Sequence, residues 1–117
     1  MKDYAALTAK IRSFVAERDW QRFHTPKNLV MALAGEVGEL TELFQWLTAE
    51  ESARVLDDPR TAEKVRDELA DVFVYVNRLV DVLGVDLEAA VHAKMAKNAA
   101  KYPADKAKGK AVKYTDL

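Results

Sequence analysis

Two pairs of acids in this sequence have a spacing that can do chemistry. Gly35-Glu36-Val37-Gly38-Glu39 carries carboxylates three residues apart, and Asp67-Glu68-Leu69-Ala70-Asp71 repeats the arrangement, with 28 residues between Glu39 and Glu68. Residues three apart in a helix lie one above the other on nearly the same face. Each pair therefore points one way, and antiparallel packing of the two helices would gather all four acids. On a helical wheel at 100° per residue, Glu36 lies roughly 55° from the centre of its apolar stripe and Glu68 roughly 80° from its own. Both are boundary positions between core and solvent. Carboxylates crowded there repel one another, and a divalent cation relieves the repulsion. An all-oxygen donor set suits Mg²⁺, Mn²⁺ or Ca²⁺. A di-iron bundle would want Glu-x-x-His pairs. The chain has none, and His92 follows Glu88 by four residues.

Gly35 and Gly38 flank these acids inside a predicted helix, where each costs about 1 kcal/mol relative to Ala. Close approach by another backbone or by a ligand is the expected reason. A single Glu-x-x-Glu would be an ordinary solvated helix face. Two pairs on two helices, the first interrupted by glycines, point to a site without naming a reaction.

The elements that must position these acids are helices, since nothing in the chain alternates as a strand. A first helix is predicted over about Asp3–Arg18, with Tyr4, Leu7, Ile11, Phe14 and Val15 as its apolar stripe. A linker around Trp20 to His24 follows. Thr25 offers an N-cap oxygen and Pro26 sits at the first helical position, opening a second helix to about Leu47 with Leu29, Leu33, Val37, Leu40, Phe44 and Leu47 on one face. Thr48-Ala49-Glu50-Glu51 is a capping box for a short helix to about Leu56. Asp58-Pro59 starts a long helix over about Arg60–Leu83, with Val65, Leu69, Val72, Val76, Leu79 and Leu83 inward, closed by Gly84 as its left-handed residue. Asp86 caps the last helix, about Leu87–Lys101, which Pro103 ends. The tail beyond it is expected to be extended. The fold class is therefore all-α, a bundle of four principal helices. A catalytic domain is expected over residues 1–103 and a basic tail over 104–117. Phe73, Val74, Tyr75, Val80 and Val82 make the long helix apolar on more than one side, as the core of a dimer or tetramer requires.

Composition bounds the partners. The 117 residues fit one domain, and the formal net charge of −1 argues against a dedicated nucleic-acid binder. From Lys94 to Leu117 there are seven Lys against two Asp, so the remaining chain is acidic. An acidic body with a basic segment suits a metal and an anionic ligand together. The absence of cysteine excludes disulfides and thiolate metal sites, and makes the cytoplasm the expected compartment. The opening MKDYAALTAKIRSF has no signal-peptide pattern, and no stretch approaches the roughly 20 apolar residues of a membrane span.

Glu36-x-x-Glu39 followed by Glu68-x-x-Asp71 resembles the signature of the MazG-like nucleotide pyrophosphohydrolases. The segment Phe14-Val15-Ala16-Glu17-Arg18-Asp19-Trp20 is similar to the dCTP pyrophosphatase branch of that family. So are Phe23-His24, Pro26-Lys27-Asn28-Leu29, Gly35 through Trp46, Tyr102-Pro103 and the ending Lys113-Tyr114-Thr115-Asp116-Leu117. The resemblance covers nearly the whole chain. It implies an all-α fold assembled as a dimer or, in this branch, a tetramer. It implies Mg²⁺-dependent hydrolysis of a nucleoside triphosphate to monophosphate and pyrophosphate, with Mn²⁺ as a substitute metal. It assigns Glu36, Glu39, Glu68 and Asp71 as metal ligands, and Glu39, with Glu36 beside it, to orienting or deprotonating the attacking water.

By the same resemblance, Trp20 and Trp46 stand where aromatic residues hold the base. Without it, a core or interface anchor is the more ordinary role for a tryptophan. Asn98 is the first candidate for reading the base edge, and Lys94, Lys101, Tyr102 and Lys113 are candidates for phosphate contact. His24 either contacts nucleotide or bonds to backbone at the helix start. Tyr75, one turn after Asp71, either lines the site or packs. One position departs from the branch: vertebrate dCTP enzymes carry a histidine in the first helix where Ile11 aligns, so strict cytosine preference is not implied. The expected substrate is dCTP or a related pyrimidine deoxynucleotide, in nucleotide-pool sanitation. The rival readings are a MazG-like hydrolase of other canonical or damaged NTPs, a helical oligomer that binds Mg²⁺–nucleotide without turnover, and a plain structural bundle. Neither a nucleic acid polymer nor a membrane is an expected partner.

Overall fold

The computed structural model describes residues 3–117; Met1 and Lys2, at the start of the expected catalytic segment, lie outside the described residues. Six α-helices follow in order: α1 (Tyr4–Glu17), α2 (Pro26–Glu42), α3 (Ala49–Ser52), α4 (Pro59–Leu83), α5 (Leu87–Lys101) and α6 (Ala104–Ala107). Short 3₁₀ turns occupy Gln21–Phe23 and Tyr114–Asp116, and there is no strand among the described residues. The chain forms two compact units, one running to Gly84 and the other Val85–Leu117. The expected boundary after Pro103 falls within the second.

The helix starts are fixed by local side-chain chemistry. Thr25 accepts from the Asn28 amide at 3.2 Å and Pro26 supplies the preset φ of the first turn. Thr48 and Glu51 form the reciprocal capping box, at 3.1 and 2.9 Å. Asp58 accepts from Arg60 N and Asp86 from Ala89 N, both at 3.0 Å. Each such cap contributes about 1 kcal/mol. Gly84 ends α4 at φ 68°, as a left-handed C-terminal residue should.

Three expectations need correction. The second helix ends regularly at Glu42 rather than near Leu47: Leu43 N and Phe44 N bond back three residues, to Leu40 O and Thr41 O, and tighten the last turn. The Thr41 hydroxyl donates to Val37 O at 2.8 Å just where the ladder tightens. The tail is not extended throughout, because Ala104–Ala107 makes a helical turn after Pro103, and Tyr114 packs edge-on to Tyr102 at 6.1 Å. Gly35 and Gly38 meet no close neighbour within the chain, since a Cβ at either would have none of its atoms within 4 Å.

In the first unit, α2 runs antiparallel to α4: Glu36 lies near Asp71, while Leu40 and Phe44, farther along α2, lie near Val65 and Leu69, earlier in α4. Short connections through α3 permit this. In contrast, α1 runs parallel to α4, turn against turn. Tyr4 meets Phe73 edge-on at 6.2 Å, Thr8 Oγ1 accepts from Asn77 Nδ2 at 2.9 Å, and Arg12 forks onto Asp81 at 3.0 and 2.6 Å. Val15, Leu29, Ala62 and Val65 form the buried apolar centre. Much of the expected stripe stays open: Val37, Leu69 and Leu83 are 45%, 52% and 55% exposed.

The end of α1 is built on Asp19, a non-glycine residue at φ 53°. Asp19 N bonds to Ala16 O at 3.1 Å and Trp20 N to Val15 O at 3.1 Å, the paired bonds of a Schellman motif. Aspartate tolerates the left-handed region better than bulky residues do. Asp19→Val is expected to cost about 1–2 kcal/mol of stability, read by urea denaturation; an unchanged midpoint would contradict the strained turn.

Candidate active site

The antiparallel pairing of α2 and α4 brings three of the four expected acids into one group. A carboxylate oxygen from each of Glu36, Glu39 and Glu68 lies within 4.8 Å of the others. Glu36 and Glu68 are half-buried, and the Oε2 atom of each is buried with no hydrogen-bond partner. Burial, then the nearby Glu68 and Glu39 carboxyls, and the charges of Glu39 and Asp71 push the Glu36 carboxyl up to about 7. Burial also raises the Glu68 carboxyl; the neighbouring Glu36 carboxyl opposes this, while Glu39 and Asp71 add to it. Asp71 lies outside the group of three, but its charge reaches Glu36 and Glu68 and it lines the adjoining cavity.

That cavity has a volume of about 420 Å³ and opens between α1, the linker and α4, with Glu36 and Asp71 in its lining. The volume is in the range of small-molecule sites. Trp20 forms part of the wall, delivered there by the Asp19 turn and set edge-on to Phe14 at 5.8 Å. Ile11, His24 and Tyr75 line the same space, so Tyr75 faces the cavity. His24 does not use its side chain on backbone at the helix start, which is capped by Thr25. Its Nδ1 accepts instead from Arg78 Nε at 3.2 Å.

The remaining expected residues are Trp46 and five in the second unit. Trp46 is 86% exposed, outside the cavity lining, which excludes a core role within the chain. Lys94, Asn98, Lys101, Tyr102 and Lys113 belong to the second unit; there the Lys101 ammonium lies 4.9 Å from the Tyr114 ring centre. Sequence reasoning missed Arg78, a nearly buried cation in the cavity wall, 4% exposed. A lone arginine inside the apolar run Val72–Val82 was the available signal, because buried cations need partners.

The MazG-like family profile matches residues 32–117. The chain is 48% identical over 104 residues to dCTP pyrophosphatase 1 of Bos taurus, across 89% of this chain and 62% of that protein. Against dCTP pyrophosphatase 1 of Homo sapiens the figures are 48% over 104 residues, 89% and 61%. Among solved structures, a pyrophosphatase from Archaeoglobus fulgidus DSM 4304 superposes with a TM-score of 0.79 at 41% identity, across 85% of this chain and 91% of that one. The chain belongs to the MazG-like family. It spans 61–62% of the length of the curated relatives it matches.

Proposed function

We propose that this protein is a Mg²⁺-dependent nucleoside triphosphate pyrophosphohydrolase acting on dCTP or a related pyrimidine deoxynucleotide, in cytoplasmic nucleotide-pool sanitation. The observation that carries the reading is the group of Glu36, Glu39 and Glu68 beside a cavity walled by Trp20. Two buried carboxylate oxygens without donors and an all-oxygen set fit a hard divalent cation, Mg²⁺ or Mn²⁺, held by Glu36, Glu39 and Glu68 with Asp71. When bound, the ion would supply neutralisation of phosphate charge. No membrane-spanning helix occurs among the described residues.

In this reading water attacks the phosphorus, the bond to the bridging oxygen between α and β phosphates breaks, and pyrophosphate leaves. Glu39, exposed and therefore accessible, accepts the proton of the water; Glu36 assists in orienting it. Cleavage then depends mainly on positioning and charge. Trp20 stacks on the base. Trp46, Asn98, Lys94, Lys101, Tyr102 and Lys113 are assigned to nucleotide on the resemblance alone. The open faces of α2 and α4 support a homo-oligomer, since burial of each such side chain contributes about 1.5–3 kcal/mol; a tetramer before a dimer rests on the resemblance alone.

A panel of dNTPs and NTPs incubated with Mg²⁺ and assayed for pyrophosphate tests the proposal. Release from dCTP is expected. No release from any substrate, with binding intact, would leave a non-catalytic nucleotide binder; release from purines but not dCTP would overturn the substrate. Ile11 in the cavity wall favours broader base tolerance as the second reading. Trp20→Ala is expected to raise KM roughly tenfold, as loss of base stacking does, with a smaller effect on kcat. An unchanged KM would remove Trp20 from the site.

A further inference from the structure

We propose that His24, held by Arg78 as a neutral imidazole with its proton on Nε2, reads the base by donating to a pyrimidine carbonyl oxygen. This rests on the nucleotide reading of the cavity.

The proton assignment follows from the donor. Arg78 is a guanidinium and can only donate. Its Nε lies 3.2 Å from His24 Nδ1, so Nδ1 must carry the lone pair. The single proton of the neutral ring is then on Nε2, which is free to donate. Burial and the Arg78 charge both hold the His24 pKa below its ordinary value, in keeping with a neutral ring. Arg78 is itself fixed: Nη1 donates to Asp81 Oδ2 at 3.2 Å, and Asp81 accepts from Arg12 Nε at 3.0 Å and Nη2 at 2.6 Å. The relay thus ties α1, the linker and α4 together. Lys10, Glu36 and Asp71 are the other charged groups lining the cavity. Ile11, on the same lining, offers no hydrogen bond, whereas His24 presents a ring N–H from the linker. A group that only donates complements an acceptor. The O2 carbonyl common to cytosine, uracil and thymine meets that need; adenine has no carbonyl and offers only ring nitrogens as acceptors, which makes dATP the comparison.

Long-range ¹H–¹⁵N spectra of the full chain at pH 7 read the tautomer without nucleotide, so they decide the relay even if the proposed hydrolysis fails. The chain has two histidines, and His24→Leu assigns the signals. We expect Nε2–H for His24, passing to a tautomer mixture in Arg78→Met and partly in the milder Asp81→Asn. An Nδ1–H or doubly protonated ring in the unmodified protein overturns the proposal, whatever the variants do. The second arm is the kcat/KM ratio of dCTP over dATP, or the ratio of affinities if neither is hydrolysed. It should fall roughly tenfold in His24→Leu and in Arg78→Met, as loss of one buried hydrogen bond does, mainly through KM. His24→Gln, whose amide N–H reaches the Nε2 position, should retain more of the ratio than His24→Leu. A correct tautomer with an unchanged ratio in His24→Leu overturns the base-reading role.

Discussion

Glu39→Gln is expected to lower kcat by roughly 10²–10⁴-fold, the range for loss of a positioned general base. The substitution keeps the shape of the side chain and removes its charge. Glu39 belongs to the group of three acids but is the exposed member, so nothing in the core depends on it. The metal-free variant should therefore melt at the wild-type temperature or above it, because one repelling charge near Glu36 and Glu68 is gone. Pyrophosphate release at saturating dCTP and Mg²⁺ measures the first effect, and a circular-dichroism melt the second. A rate within twofold of wild type would remove Glu39 from the chemistry. A large fall in melting temperature would make its role structural instead.

Chelation is the second large effect. Excess EDTA should abolish pyrophosphate release, and Mg²⁺ or Mn²⁺ should restore it. The metal-free protein should also show a particular pH dependence. Glu36 is raised from the ordinary 4.5 to about 7, and Glu68 is raised too. The folded chain therefore binds more protons than the unfolded chain between these values. Stability then falls as pH rises, with most of the loss between about pH 4.5 and 7. Melting curves of the metal-free protein should show this decline. Mg²⁺ should raise the melting temperature more at pH 8 than at pH 5.5, since a cation competes with the protons at low pH. A melting temperature that climbs with pH in the absence of metal would contradict the crowded acids.

The helix starts were legible because their causes are local: Thr25, Thr48, Asp58 and Asp86 each bond within three residues of themselves. The meeting of Glu36, Glu39 and Glu68 was legible for a related reason. Three-residue spacing sets one face, and a short connection between long helices makes them antiparallel. The apolar stripes identified which side chains could be buried, not which have a neighbour, so Val37 and Leu69 were expected inside and stand open in the chain. The Arg78–His24 bond spans 54 residues and depends on where the linker after Asp19 delivers His24. No periodicity encodes that. For the glycines, the close approach does not come from the chain itself, whose atoms leave the space around Gly35 and Gly38 open.

Cleavage between the α and β phosphates at the acid group leaves phosphorus in both products. ³¹P NMR of dCTP with Mg²⁺ and protein follows both at once. dCMP and pyrophosphate are expected in equal amounts, with neither in the presence of EDTA. Orthophosphate with dCDP, or an unchanged triphosphate spectrum, would contradict that cleavage.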